Sequence, residues 1–282
     1  MEELKVRAPA KVNIALDVIG RRPDGYHLMQ MINHSTNLAD VLSFKPAEEL
    51  TLTCDEETVP LGPSNLIMKV AQGLKTRYGV KIGAAIHLEK RIPMQAGLAG
   101  GSADAAAAIK GLSTLWGLEM DIQEMLSFGV GIGADVPYCL LGGTALVEGI
   151  GEIITPLKPL PACTMVVVKP AADIATPWAF AQVDTAPSEY HPPVEQAVEV
   201  LESQGFEAAC EWMGNSFEAV VFPLYPEIKI LKEQMLDAGA ALAVMSGSGS
   251  TVVGYFMDEA VAAQAVAFFK DLQMNPFLAR IE

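Results

Sequence analysis

Pro93-Met94-Gln95-Ala96-Gly97-Leu98-Ala99-Gly100-Gly101-Ser102-Ala103-Asp104 is a glycine-rich loop that runs directly into the alanine-rich stretch Ala105–Leu112. A loop of this kind at the start of a helix offers bare backbone N–H groups and the positive end of the helix dipole, which suits phosphate. Gly100 and Gly101 let an anion approach the backbone closely, and Ser102 adds a hydroxyl. Taken alone, the pattern more often marks a tight turn. Spacing excludes three familiar loops. A Walker loop needs Lys after its last glycine, and Gly101 is followed by Ser102. The dinucleotide fingerprint G-x-G-x-x-G is absent. A nucleophile elbow needs glycine two residues after its serine, where this chain has Asp104.

Outward from the loop, helices and strands mix. Upstream, Ala84–Leu88 reads as a strand leading into Lys90-Arg91-Ile92-Pro93, and Asn65–Tyr78 as a helix with Ser64 as its cap. Leu50–Cys54 and Val41–Phe44 read as strands. Lys5–Ile19 alternates, with Val12, Ile14, Leu16 and Val18 on an apolar face and Lys11, Asn13, Ala15 and Asp17 on the other. Arg21-Arg22-Pro23-Asp24-Gly25 is a turn followed at once by Tyr26-His27. Downstream come a helix over Asp121–Phe128, the turn-like Gly133-Ala134-Asp135-Val136-Pro137-Tyr138, and a strand over Thr144–Val147. Pro156, Pro159 and Pro161 mark a boundary, giving segments 1–155 and 156–282. Beyond it, Met165–Val168 is a buried strand, and Val194–Ser203 and Ile228–Ala238 are helical. Ala241–Met245 opens a second small-residue loop, Ser246-Gly247-Ser248-Gly249-Ser250. A strand over Thr251–Phe256 and a helix over Glu259–Leu272 follow. The alternation predicts an α+β architecture, with a split βαβ unit in the second half.

Length and composition set the frame. The chain has 282 residues, 51% hydrophobic and 19% charged, enough for a substantial core and incompatible with intrinsic disorder. Its net charge of −15 argues against nucleic acid or an anionic membrane as partner. It also makes an anionic ligand a puzzle that only a strong local site resolves. The charge is uneven: Leu66–Met94 carries six basic residues against Glu89 alone, whereas Gly111–Pro226 carries fifteen acids against Lys158 and Lys169. Cys54, Cys139, Cys163 and Cys210 lie far apart, without metal-ligand spacing, and read as reduced core thiols. The start, Met1–Arg7, is charged with no apolar stretch behind it, and no run is long enough to span a membrane. The chain therefore reads as soluble and cytoplasmic, with a monomer and a homodimer both open.

The loop Pro93–Ala103 resembles the ATP-binding motif of the GHMP kinases, the superfamily of galactokinase, homoserine kinase and mevalonate kinase. Two further stretches agree with that superfamily: Ala8-Pro9-Ala10-Lys11-Val12-Asn13 and Ser246-Gly247-Ser248-Gly249-Ser250. Arg22-Pro23-Asp24-Gly25-Tyr26-His27 and Gly133-Ala134-Asp135-Val136-Pro137 are closer to the family acting on 4-diphosphocytidyl-2-C-methyl-D-erythritol. The resemblance runs in order from Ala8 to about Phe256. It implies a two-domain fold with a ribosomal-protein-S5-like N-terminal domain and a ferredoxin-like C-terminal domain. It implies ATP-dependent phosphorylation of the 2-hydroxyl of that cytidylyl intermediate in the non-mevalonate isoprenoid pathway, with ATP and Mg2+.

The resemblance also assigns roles. Asp135 is the proton acceptor and Lys11 the neighbouring cation, with Asn13 holding substrate. Pro93, Met94, Gln95, Ala96, Gly97, Leu98, Ala99, Gly100, Gly101, Ser102 and Ala103 form the ATP loop, with Asn65 and Lys90 lining the adenosine pocket. Ser102 meets magnesium or phosphate. Tyr26 and His27 recognise cytidine, with Phe180, or alternatively Trp178, as the opposite stacking wall. Gly247 and Ser248 meet the phosphates or the acceptor. Ala99 and Ala103 stand where many members have Gly and Ser. Without the resemblance, Asp135 reads as a turn or helix-cap residue, Lys11 as a solvated strand residue and Tyr26 as a packing side chain. His34, His87 and His191 carry no motif and read as structural or solvated. Two rivals stay open: another GHMP kinase of the mevalonate or homoserine type, and a non-catalytic nucleotide sensor on the same scaffold.

Overall fold

Helix α2 (Gly100–Trp116) carries five buried alanines, Ala103 and Ala105–Ala108, on a helix enclosed on most sides. Small side chains let neighbouring elements approach closely, and at Gly111 the Phe44 ring occupies the place of a Cβ. The helix ends at Gly117, whose left-handed φ of +64° lets its N–H reach back to Ser113 and Thr114 carbonyls. In the computed structural model, residues 3–185 and 190–281 are described. The expected segment ends at 1 and 282, and the reading of Met1 and Glu2, lie outside the described residues.

The strands are β1 (Leu4–Arg21), β2 (His27–Ala47), β3 (Leu50–Cys54), β4 (Gly83–Glu89), β5 (Thr144–Gly149), β6 (Ile153–Pro156), β7 (Thr164–Val168), β8 (Leu242–Met245), β9 (Val252–Phe256) and β10 (Phe277–Arg280). The remaining helices are α1 (Leu66–Tyr78), α3 (Ile122–Val130), α4 (Val136–Leu141), α5 (Thr176–Thr185), α6 (Val194–Gln204), α7 (Phe206–Ala209), α8 (Glu218–Val221), α9 (Pro226–Asp237) and α10 (Glu259–Asp271). The chain packs as two compact units that interleave in sequence. The first holds 1–11, 38–93 and 99–142; the second holds 12–37, 94–98 and 143–282.

In the first unit, the second half of β2 pairs antiparallel with β4, Val41 opposite Glu89, and β3 pairs parallel with β4 on the other side. Helices α1, α2, α3 and α4 pack on one another, and Leu42, Phe44, Ile67, Leu74, Ile86 and Ile109 are among its buried core residues. Helix α1 starts at Asn65, whose side chain accepts from the Ile67 N–H, so Asn65 and not Ser64 is the cap. Lys75 and Arg77 sit in its last turn, where positive charge suits the helix dipole.

In the second unit, the first half of β2 pairs antiparallel with β5, and β5 with β6. A separate four-stranded antiparallel sheet has the order β10-β7-β9-β8, with α9 and α10 packed on it. Strands β7 and β8 flank β9, which is the split βαβ arrangement expected from the sequence, completed by β10. Leu16 N–H donates to the Gly214 carbonyl and Ser216 N–H to that of Leu16, which ties β1 to the Gly214–Ser216 turn.

Candidate active site

Strand β1 buries both of its faces. Lys11 and Asp17 are each 5% exposed and Asn13 not at all, so the polar side of the strand is no solvated face. A buried ammonium needs a partner, and Lys11 Nζ lies 3.4 Å from Asp135 Oδ1. Asp135 stands at the start of α4, ahead of Pro137, yet its carboxylate makes no capping hydrogen bond. A capping role therefore does not account for it. Its side chain remains 34% exposed, which leaves the carboxylate open to a ligand. At Gly133 an added Cβ would lie 3.9 Å from Ser102 Oγ, which puts the serine hydroxyl beside the Gly133–Asp135 turn.

The glycine-rich loop divides between the units. In the first, Ala99 takes the cap position of α2 with φ +54°, a left-handed conformation that costs an alanine about 1–2 kcal/mol. Alanine has no side-chain oxygen to cap with, so the helix begins without side-chain capping. That arrangement suits an anion supplied from outside. Gly101 is exposed and Ser102 half-buried, while Ala103 packs into the core; Pro93 is half-buried.

Beneath the helix start lies a buried charge cluster. Lys90 Nζ donates to Asp40 and, at 3.1 Å, to Asp104 Oδ2. Asp40 also accepts the Arg91 and Ile92 N–H groups at 2.5 and 2.8 Å, fixing the chain where it enters the loop. Burial tends to lower the Lys90 pKa, but Asp104 and Asp40 outweigh it and hold it above the ordinary lysine value. Burial raises Asp104 to about 7, against the opposing effect of Lys90 and with support from Asp40, and among the described residues its Oδ1 has no hydrogen-bond partner. An added Cβ at Gly100 would come 3.3 Å from Lys90 Nζ, so the ammonium sits directly under the loop backbone. Asn65 is occupied as the α1 cap and also donates to the Pro60 carbonyl at 2.7 Å.

In the second unit, the two small-residue loops meet. Ser246 Oγ donates to the Gly97 carbonyl at 2.9 Å, and a Cβ on Gly97 would strike the Ser246 carbonyl. Gly97 and Gly247 both adopt left-handed φ, +69° and +59°. Ala96 and Leu98 are buried anchors, whereas Met94 and Gln95 are exposed. Ser248 Oγ shares a 2.9 Å hydrogen bond with Thr176. Sequence reading misses Asn215, which is fully buried and donates to the Met245 and Gly247 carbonyls at 2.7 and 2.8 Å. The only local signal was the turn-like Gly214-Asn215-Ser216.

The turn after β1 is closed by an Arg22–Asp24 ion pair at 2.7 Å and by Gly25 at φ +95°. It leaves Tyr26 58% exposed. His27 is instead packed: its ring stacks on Phe180 with centroids 4.4 Å apart at 21°. Trp178 stands edge-on to Tyr225, so of the two aromatic candidates Phe180 is the one that joins His27. His27 Nε2 lies 2.8 Å from Asp184 Oδ1, a second residue the sequence reading missed. Asn13 donates to Asn33 at 2.5 Å and to Met31 Sδ, inside the core. The other histidines have structural partners: His34 with Tyr255, His87 with Thr53 and His191 with Asp17. A cavity of about 260 Å3 opens beside His27, lined also by Val18, Arg21, Asp184, His191 and Ser216.

The four cysteines carry free thiols, and burial pushes Cys163 and Cys210 up to about 11 and about 12. Among the described residues, no group of three or more His, Cys, Asp or Glu side chains is placed to hold a metal, and no helix is long and apolar enough to cross a membrane.

Comparison with known proteins places the chain in a family. The model of the GHMP kinases N terminal domain matches residues 65–143, and that of the GHMP kinases C terminal matches 197–272. A 4-diphosphocytidyl-2-C-methyl-D-erythritol kinase of Lachnospira eligens is 40% identical, covering 92% of this chain and 91% of its own. One from Bacillus pumilus is 41% identical, covering 90% and 88%. The crystal structure of a 4-(cytidine 5'-diphospho)-2C-methyl-D-erythritol kinase superposes with a TM-score of 0.83 at 33% identity, covering 99% of each chain. The chain is thus a small-molecule kinase of the GHMP superfamily and belongs within it to the 4-diphosphocytidyl-2-C-methyl-D-erythritol kinase family.

Proposed function

We propose that this protein transfers the γ-phosphoryl group of ATP to the 2-hydroxyl of 4-diphosphocytidyl-2-C-methyl-D-erythritol, in the cytoplasm, as a step of the non-mevalonate route to isoprenoid precursors. The observation that carries the chemistry is the buried Lys11 ammonium 3.4 Å from the half-exposed, non-capping Asp135 carboxylate. The substrate comes from the relatives named above.

In this reading Asp135 accepts the proton of the attacking hydroxyl. Lys11 holds the carboxylate in position, and its charge favours the developing alkoxide. Phosphoryl transfer needs little more from the protein than positioning and charge compensation. The Gly100–Ser102 backbone at the start of α2 binds phosphate oxygens, while Gly97, Gly247 and Ser248 shape the loops around phosphate and acceptor. Lys90 acts by bracing the loop from beneath, and Asn65 by fixing the start of α1 beside the adenosine. Asn13 orders the buried strand on the substrate side. Tyr26 gives an exposed ring on which cytosine can stack, and His27 with Phe180 supplies the packed aromatic pair. The Ser102 hydroxyl, beside the Gly133–Asp135 turn, is the protein oxygen that would hold Mg2+, and the ion would supply charge neutralisation on the phosphates. Segments 1–155 and 156–282 take the ATP-binding and C-terminal roles, consistent with where the two family models match.

A coupled ADP-release assay tests the proposal. With ATP and Mg2+, the cytidylyl compound should release ADP, and mevalonate and homoserine should not. No substrate-dependent ADP with the cytidylyl compound rejects the reading, and turnover of either alternative replaces it.

A further inference from the structure

Helix α5 ends with an anomaly. Asp184 is the second-last residue of the helix, where a carboxylate opposes the negative end of the helix dipole. Two cationic or donor groups compensate it, one at the end of β1 and one at the start of β2. Arg21 Nη1 lies 3.0 Å from Oδ2, and His27 Nε2 lies 2.8 Å from Oδ1. Hydrogen bonding from His27 is the main influence holding the Asp184 carboxyl below its usual range, so the group is an ionised acceptor. An acceptor-only partner requires that His27 Nε2 carry the proton.

The ring is fixed from a second direction. Phe180 stacks on its face, and the His27 side chain is only 11% exposed. Carboxylate, arginine and aromatic ring thus restrain the orientation of one imidazole at the edge of a cavity lined by His27, Asp184 and Arg21. In a neutral imidazole with Nε2 protonated, Nδ1 is a lone-pair acceptor.

We propose that Asp184 is a positioning residue that locks His27 in the Nε2–H tautomer, so that Nδ1 is presented as an acceptor to the exocyclic amine of cytosine and repels the carbonyl oxygen of uracil. The inference rests on the cytidylyl reading above and adds to it the residue that sets base choice. A site built to pair one hydrogen-bonding edge rejects the analogue lacking it much more strongly than a site of mere shape. Asp184 touches no reacting atom, so its loss should appear in KM and base preference and not in kcat.

The test compares the wild type with Asp184→Leu, which keeps similar bulk and removes both acceptor oxygens. The substrates are the cytidylyl compound and its uridylyl analogue. In the wild type, kcat/KM should favour cytidylyl by at least about a hundredfold. In the variant, KM for the cytidylyl substrate should rise about tenfold with kcat within about threefold, and the preference should fall below about tenfold. An unchanged preference overturns the proposal. The 15N shifts of the His27 imidazole in the ligand-free wild type give an independent readout that needs neither variant nor substrate. The Nε2–H tautomer supports the assignment, and an Nδ1–H tautomer overturns it. Absence of wild-type turnover with the cytidylyl compound rejects the substrate reading, and the tautomer measurement then decides the part of Asp184 by itself.

Discussion

Asp135 and Lys11 lie 124 positions apart in sequence, and each has a bland reading by itself, as a cap and as a solvated strand lysine. The fold removes both readings, because the carboxylate caps nothing and the ammonium is buried against it. Replacing Asp135 by Asn should lower kcat by about 10²–10⁴, the range for losing a positioned proton acceptor. Affinity for the cytidylyl substrate, read by calorimetry, should stay within about threefold. These two residues were legible in the sequence because they sit in short, ordered motifs. Asp184, Asp40 and Asn215 were not. Their meaning lies in partners brought close only by folding: Asp184 with His27, Asp40 with the Arg91 and Ile92 N–H groups, and Asn215 with the Met245 and Gly247 carbonyls. An isolated Asp or Asn outside any motif gives no sign of such a task.

Among the elements, strands and helices with a clean period were legible. Helix α1, strands β3, β4, β7, β8 and β9, and helices α9 and α10 fall close to the stretches read from the sequence. The first half of β2 was missed for a physical reason. Asn33, His34, Ser35 and Thr36 are all buried there, so the strand has polar residues inside and no alternation to detect. Short β6 and β10 and helix α5 lack a strong pattern for the same kind of reason: their residues are mostly exposed or only half-buried. Helix α2 gives a sharper case, where local and tertiary demands conflict. Alanine at position 111 would favour an isolated helix by about 1 kcal/mol. Here the added Cβ would enter the space of the Phe44 ring, which is wholly buried and has nowhere to go. Gly111→Ala should therefore destabilise the protein by up to about 2 kcal/mol, the cost of overpacking less the gain in helix propensity, as read from urea midpoints.

For the molecule as a whole, two buried groups tilt stability in opposite directions with pH. Burial lowers His34 to about 4 from 6.5, so its contribution is present above about 6.5 and is lost as pH falls towards 4. Burial raises Asp104 to about 7 from 3.8, so its contribution is present below about 4 and is lost as pH rises towards 7. The two effects oppose each other between pH 4 and 7 and mask each other in the wild type. Asp104→Asn removes the second one. Relative to the wild type, the variant should gain stability steadily as pH rises from about 4 to 7, measured as urea midpoints across that window. The net charge of −15 takes on a clearer meaning at the same scale. Lys11 and Lys90 both face carboxylates, so in the proposed reading attraction for the phosphates falls chiefly to backbone N–H groups at the start of α2. The buried Asn215 finally bears on how the protein ages. Spontaneous deamidation would exchange its Nδ2 donor for an oxygen facing two carbonyls, turning the clasp on the Ser246–Ser250 loop into a repulsion. That reaction begins with attack by the next backbone nitrogen, and Ser216 N–H is already bonded to the Leu16 carbonyl. The tether that joins β1 to this turn is therefore also a chemical preservative, and its protection lasts only while the chain stays folded.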